Sequence, residues 1–154
     1  MIKKTISFAL IITSLFLITA CNKEQNVEGT LEEIMKKVYQ ELPQDETPMM
    51  LQNVEINEEN IEYYLGTSNI EYEEALASES ATGSIAHSVV LLRTKHNADI
   101  EKIKTEIKEN VDPRKWICVG VEKEDIIVKS KGDLVILIMT NSGKEKLEMG
   151  FDNL

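Results

Sequence analysis

His87 and Ser88 are neighbours of the types that make a general base and a nucleophile. The run around them is strand-like, however, and adjacent strand residues point to opposite faces, so the two cannot hydrogen-bond as a dyad. Ser84, three residues away, is no better placed. His87 therefore reads as a half-buried strand residue, and His96, just before Asn97, as a solvated turn residue. The paired Glu58-Glu59 and Glu73-Glu74 supply carboxylates, but a glycosidase needs two that face each other across a cleft. Met49-Met50 offers two thioethers with no histidine nearby, a poor copper set. No His-Glu-x-x-His, Cys-x-x-Cys, Gly-x-Ser-x-Gly or Asp-x-Asp-x-Asp-Gly spacing occurs. Thr82-Gly83-Ser84 is too short to cradle a phosphate and has no lysine beside it. The expectation is thus no catalytic, cofactor-binding or metal-ligating residue. The alternative is a small cell-envelope hydrolase whose Glu73, Glu74 and His87 converge only in three dimensions.

Cys21 is different, because its surroundings prescribe a reaction. It follows Ile18-Thr19-Ala20, with a positive n-region at Lys3 and Lys4 and a short apolar run from Phe8 to Ile18. That order is a secretory signal in which a cysteine takes the place of the usual small-residue cleavage site. It looks like a bacterial lipoprotein signal, in which Cys21 Sγ receives a diacylglycerol and the chain is cut before it. The apolar run falls short of the ~20 residues that span a bilayer, and no stop-transfer pattern follows. Two acyl chains on one cysteine anchor durably where one holds only marginally. The expected location is the outer face of the cytoplasmic membrane, with the diacylglyceryl-cysteine in the lipid.

The full chain has 154 residues and a net charge of −10. Loss of residues 1–20 removes two lysines and no acids, moving the charge to −12 and leaving 134 residues. That length suits one domain with a real core and is too short for a two-lobed solute-binding protein. Nucleic acid is disfavoured as a partner, because phosphate binding needs a basic footprint. Only Cys118 remains besides the anchor, which excludes an intramolecular disulfide, and its run Trp116-Ile117-Cys118-Val119 reads as a buried, inert thiol. From Val38 to Leu92 there is no Lys or Arg, against eleven acids; from Arg93 onward twelve of each sign cancel. The acidic half is either a solvated face or the surface that meets a basic protein or another cell-envelope partner.

Asn22 to Gly29 reads as a flexible tether, 21–29 with its anchor. Thr30-Leu31-Glu32-Glu33 is a capping box, and Leu31, Ile34, Met35, Val38 and Leu42 recur on one helical face until Pro43. Residues 44–56 are loop or a short strand. Asn57 caps a short helix with Ile61, Tyr64 and Leu65 on one face and Gly66 at its end. A strand is expected from Ile70 to Ser78, and a central one over 85–93, where Val89 to Leu92 is apolar on both faces. Asn97 or Asp99 opens a helix with Ile100, Ile103, Ile107 and Val111 as its stripe and Lys102 and Glu106 four apart. Trp116 to Val121 is a short strand or a helical turn. Ile126 to Ser130, a turn at Lys131-Gly132 and Asp133 to Met139 form a hairpin whose second arm is central. Ser142-Gly143-Lys144-Glu145 repeats the capping box ahead of a terminal helix that buries Leu147 and Phe151. The economical architecture is a single α+β domain over 30–154, with helices packed on one face of an antiparallel sheet.

Leu65-Gly66, the stretch Glu74 to Glu79, Ser84 to Val90, the helix opened by Asn97-Ala98-Asp99 and the strand from Asp133 to Met139 carry a likeness. Together they resemble the domain-of-unknown-function 4358 family, small lipoproteins of Gram-positive bacteria, over roughly Leu31 to Lys146. The resemblance implies a class and a location, and no mechanism. The expected role is a non-catalytic binding or interaction module at the cell surface.

Overall fold

The computed structural model describes residues 26–154. The leader expected over 1–20 and the expected lipid attachment at Cys21 lie outside the described residues. The chain runs α1 (Leu31–Val38), a 3-10 turn (Tyr39–Glu41), β1 (Leu51–Glu55), α2 (Ile61–Leu65), β2 (Tyr72–Ser80) and β3 (His87–Thr94). It continues with α3 (Ile100–Asn110), a second 3-10 turn (Lys123–Asp125), β4 (Ile127–Lys131), β5 (Leu134–Thr140) and α4 (Lys144–Asp152). All neighbouring strands pair antiparallel, in the order β1-β2-β3-β5-β4. The α+β expectation holds, with four helices on one open sheet.

Its layering is richer than expected. On β2, β3 and β5, side chains alternate between two separate apolar layers. Leu76, Val89, Leu91, Leu134, Ile136 and Ile138 meet α1 and α4. Ala77, Val90, Leu92, Val135, Leu137 and Met139 meet α2, α3 and the segment around Trp116. Helices therefore cover both faces, because strands apolar on both sides must be buried on both. Each wholly buried Leu or Ile contributes about 1.5–3 kcal/mol by leaving water.

α1 forms where its capping box says it should. Thr30 Oγ1 accepts from Glu33 N and Glu33 Oε2 accepts from Thr30 N. Leu31, Ile34, Met35 and Val38 are buried, and the backbone tightens into the 3-10 turn before Pro43. Against this helix, α4 comes so close that a Cβ on Gly150 would stand 2.1 Å from Val38 O. α2 ends on Gly66 at φ +74°, a left-handed position that suits glycine.

Some local alternatives are resolved and other expectations are corrected. The 44–56 stretch contains β1, an edge strand. α2 begins after a turn over 57–60 and has Asn60, without a side-chain cap bond, at its start; Asn57 Oδ1 instead accepts from Glu59 N. On α3 the cap is Asp99, and the ion pair is Lys104–Glu101 at 2.6 Å rather than Lys102 with Glu106. The hairpin turn is Gly132-Asp133, one residue later than expected, because Asp133 O accepts from Thr94 N and its carboxylate meets Arg93. No second capping box forms, since Gly143 caps α4 at φ +68° and Ser142 Oγ donates to Glu46 O instead. Trp116 to Val121 is neither strand nor helix but an irregular loop, and Cys118 within it is exposed at φ +62°. The thiol escapes burial because Trp116 turns inward and the backbone reverses just after it.

Candidate functional site

β3 has a proximal and a distal end, and each gathers a different set of polar groups. At the proximal end Arg93 is a clamp. Its Nη1 and Nη2 donate to Val27 O and Gly29 O at 2.9 Å each, while Nε meets Glu74 Oε1 at 2.8 Å and Nη1 meets Asp133 at 3.4 Å. The described part of the stretch read as tether, 26–29, is thus docked on the domain, with Val27 packed against the α1 layer. A shallow depression of about 800 Å³ opens beside it, lined by Glu73, Lys95, His96 and Asp133 among others.

At the distal end two buried polar groups occupy opposite faces. On the α1 face His87 is fully buried. Its Nδ1 lies 2.8 Å from Thr140 Oγ1 and its Nε2 lies 2.6 Å from the Tyr39 hydroxyl. Thr140 spends its own hydroxyl proton on Ser142 O, so Thr140 accepts from His87 Nδ1–H and His87 Nε2 accepts from Tyr39. That fixes a neutral tautomer. Burial pushes the imidazole down to about 4, and burial also pushes the Tyr39 phenol up, against a hydrogen bond from Ser78.

On the other face Lys115 reaches inward from the 113–121 loop. Its side chain is 3% exposed, and Nζ donates to Glu79 Oε1 at 3.0 Å and Ser88 Oγ at 3.1 Å. Glu79 Oε1 also accepts from Trp116 Nε1 at 2.9 Å and from the Tyr63 hydroxyl at 3.5 Å. The rings of Tyr63, Tyr64 and Trp116 surround the ammonium at 4.4, 4.5 and 5.3 Å to their centroids. Burial draws the Lys115 ammonium below the usual lysine range, opposed by Glu79. Burial and the Glu79 charge raise the Tyr64 phenol to about 12. The cage serves Lys115 itself, so cation and carboxylate are both satisfied inside the fold.

What this centre does for the surface is to hold an apolar rim. Ile117, next to Trp116, is 71% exposed, and its N–H donates to Gly83 O at 2.8 Å. Met49 and Met50 stand 71% and 69% exposed across Thr82-Gly83, with Met49 O and Met50 O accepting from Ser80 Oγ and Ala81 N. Met50 Sδ lies 3.8 Å from Thr82 Oγ1, and Tyr63 is half exposed beside Glu79. Met50 and Cys118 both hold positive φ here, at 55° and 62°. Such backbone costs on the order of 1–3 kcal/mol, and it persists where the surroundings over-determine it. The rim is a placed surface, not a frayed one.

The carboxylates and imidazole imagined for a hydrolase are not brought together. Glu74 pairs with Arg93, and Glu73 lines the proximal depression. His87 lies six residues from Arg93 along β3, about 20 Å at strand rise. Ser88 points away from His87 as expected, and both are fully buried. Ser84 and His96 are exposed. Among the described residues no cluster of His, Cys, Asp or Glu could hold a metal ion, and no helix is long and apolar enough to cross a membrane. Sequence reasoning missed Lys115, Glu79 and the aromatic cage; the Tyr63-Tyr64 and Lys115-Trp116 doublets were their sole local trace. No family model, curated protein or solved structure matches the chain.

Proposed function

We propose that this protein is a lipid-anchored, extracytoplasmic binding module that presents its recognition end away from the membrane. The observation that carries the reading is the opposition of clamp and rim. Arg93 fixes 26–29 at the proximal end of β3, and Met49, Met50, Ile117 and Tyr63 stand at the distal end. Six peptide steps separate Cys21 from Val27, so the anchor lies at most about 22 Å from the clamp. A lipid on Cys21 then turns the clamp toward the bilayer and the rim toward the cell envelope. An exposed apolar cluster of this kind fits a protein partner. The acid-only stretch Val38–Leu92 favours a basic one and not nucleic acid.

Two measurements test this. Metabolic labelling with a fatty acid should mark the wild type and not Cys21→Ala; equal labelling of both overturns the anchor. A photo-crosslinking residue placed at Ile117 should capture a discrete partner in cells that the same residue at His96 does not. Capture from both positions alike overturns the distal site.

A further inference from the structure

The rim continues into β1, an edge strand whose outer side is open among the described residues. Ile56 N donates to Ala75 O at 3.0 Å, and Met50 O accepts from Ala81 N at 3.0 Å. With the register Leu51↔Ser80 to Glu55↔Leu76, these bonds set the phase of the ladder. Met50, Gln52, Val54 and Ile56 turn their backbone groups toward β2, and Leu51, Asn53 and Glu55 turn theirs outward. Of the outward groups, Glu55 O accepts from Asn60 Nδ2 at 3.0 Å. The N–H and C=O of Leu51 and Asn53 and the N–H of Glu55 have no protein partner among the described residues.

The two edges of the sheet are treated differently. β4 carries Lys129 and Lys131, tied to α4 through Glu148, Asp152 and the carbonyl of Leu154. Lysine on an edge strand is the usual guard against pairing with another chain. β1 has neither lysine nor proline in its five residues. Glu55 in the strand and Glu58, Glu59 and Glu62 just after it are exposed, and no Lys or Arg occurs from Val38 to Leu92.

We infer that an extended, lysine- or arginine-bearing segment of a partner protein adds to β1 as a sixth strand, with its end on the Met49–Met50 side of the rim. This rests on the binding-module reading above. Backbone hydrogen bonds supply the pairing, and the carboxylates supply the selection for basic side chains. A second copy of this chain would bring the same stretch, with no lysine or arginine to meet these carboxylates.

The test uses residues 21–154 without lipid and a short synthetic peptide of alternating valine and lysine. Its probes are amide hydrogen exchange and amide chemical shifts. Bound peptide should slow exchange at Leu51, Asn53 and Glu55 by about tenfold or more and leave Gln52 and Val54, already bonded to β2, little changed. A glutamate-for-lysine peptide and an N-methylated one should give no protection. Asn53→Pro should abolish the effect while the protein stays folded, since this N–H serves no internal bond and proline is tolerated on an outward edge. Should that variant fold poorly, Asn53→Lys restores an edge guard without touching the ladder and should abolish it too. No protection at millimolar peptide, or equal protection by the glutamate peptide, overturns the inference. Crosslinking from Ile117 that survives Asn53→Lys would likewise overturn the added strand and leave the binding module standing.

Discussion

His87 and Ser88 are consecutive in β3, yet each anchors a buried polar group in a different layer of the molecule. His87 is bonded to Tyr39 and Thr140 under α1 and α4. Ser88 accepts from Lys115 beneath α2 and Trp116. One peptide bond thus ties together the polar groups on the two faces at the distal end of the sheet.

The His87 group should make stability pH-dependent. The folded imidazole titrates at about 4, against an ordinary 6.5, because burial opposes its charge. The unfolded chain therefore binds the proton first as pH falls. Stability from this group is complete above about pH 6.5 and declines as pH drops from there toward 4, by about 3 kcal/mol in all. Urea unfolding of wild type and His87→Gln between pH 7.5 and 4 checks this. The difference between the two curves should carry that slope, and parallel curves would refute it.

Lys115→Met should cost about 3–5 kcal/mol, because Glu79 is left charged and buried without its partner. Adding Glu79→Gln should recover much of that loss, since glutamine still accepts from Trp116 Nε1. A double-mutant cycle reads the coupling directly. Additive losses would mean that the pair does not interact.

Arg93→Lys should release 26–29 even though the charge is kept. A lysine ammonium cannot reproduce the planar fork that serves two carbonyls and two carboxylates at once. Limited proteolysis should cut within 26–30 several-fold faster than in wild type, with a global loss of about 1–3 kcal/mol. Unchanged cleavage would show that Arg93 does not hold 26–29.

Gly150→Ala should separate α1 from α4, since the new Cβ meets the Val38 carbonyl and not a movable side-chain tip. Overpacking of this kind costs about 1–3 kcal/mol or more, read by thermal unfolding. An unchanged melting temperature would show that the two helices part freely.

What the sequence determined by itself is the set of elements whose signals are local. Thr30 with Glu33 and the Leu31–Val38 stripe specify α1 within a few residues of chain. Val89 to Leu92 and Leu134 to Met139 read as central strands, because runs apolar on both faces need cover on both, and both are central in the sheet. The lipidation proposed at Cys21 falls outside the described residues. Tertiary structure decided everything that depends on distant partners. Lys115 lies 27 residues from Ser88, and only the antiparallel register of β2 on β3 sets Glu79 opposite Ser88 for it to reach both. Ser142 looked like a cap, but its hydroxyl found Glu46 O, which belongs to a segment 96 residues away. Cys118 looked buried by its apolar neighbours, and a single inward turn of Trp116 left it in solvent. Propensity and periodicity act over one turn or one strand. The distal centre and its rim are made of side chains that meet only after the sheet has closed its register.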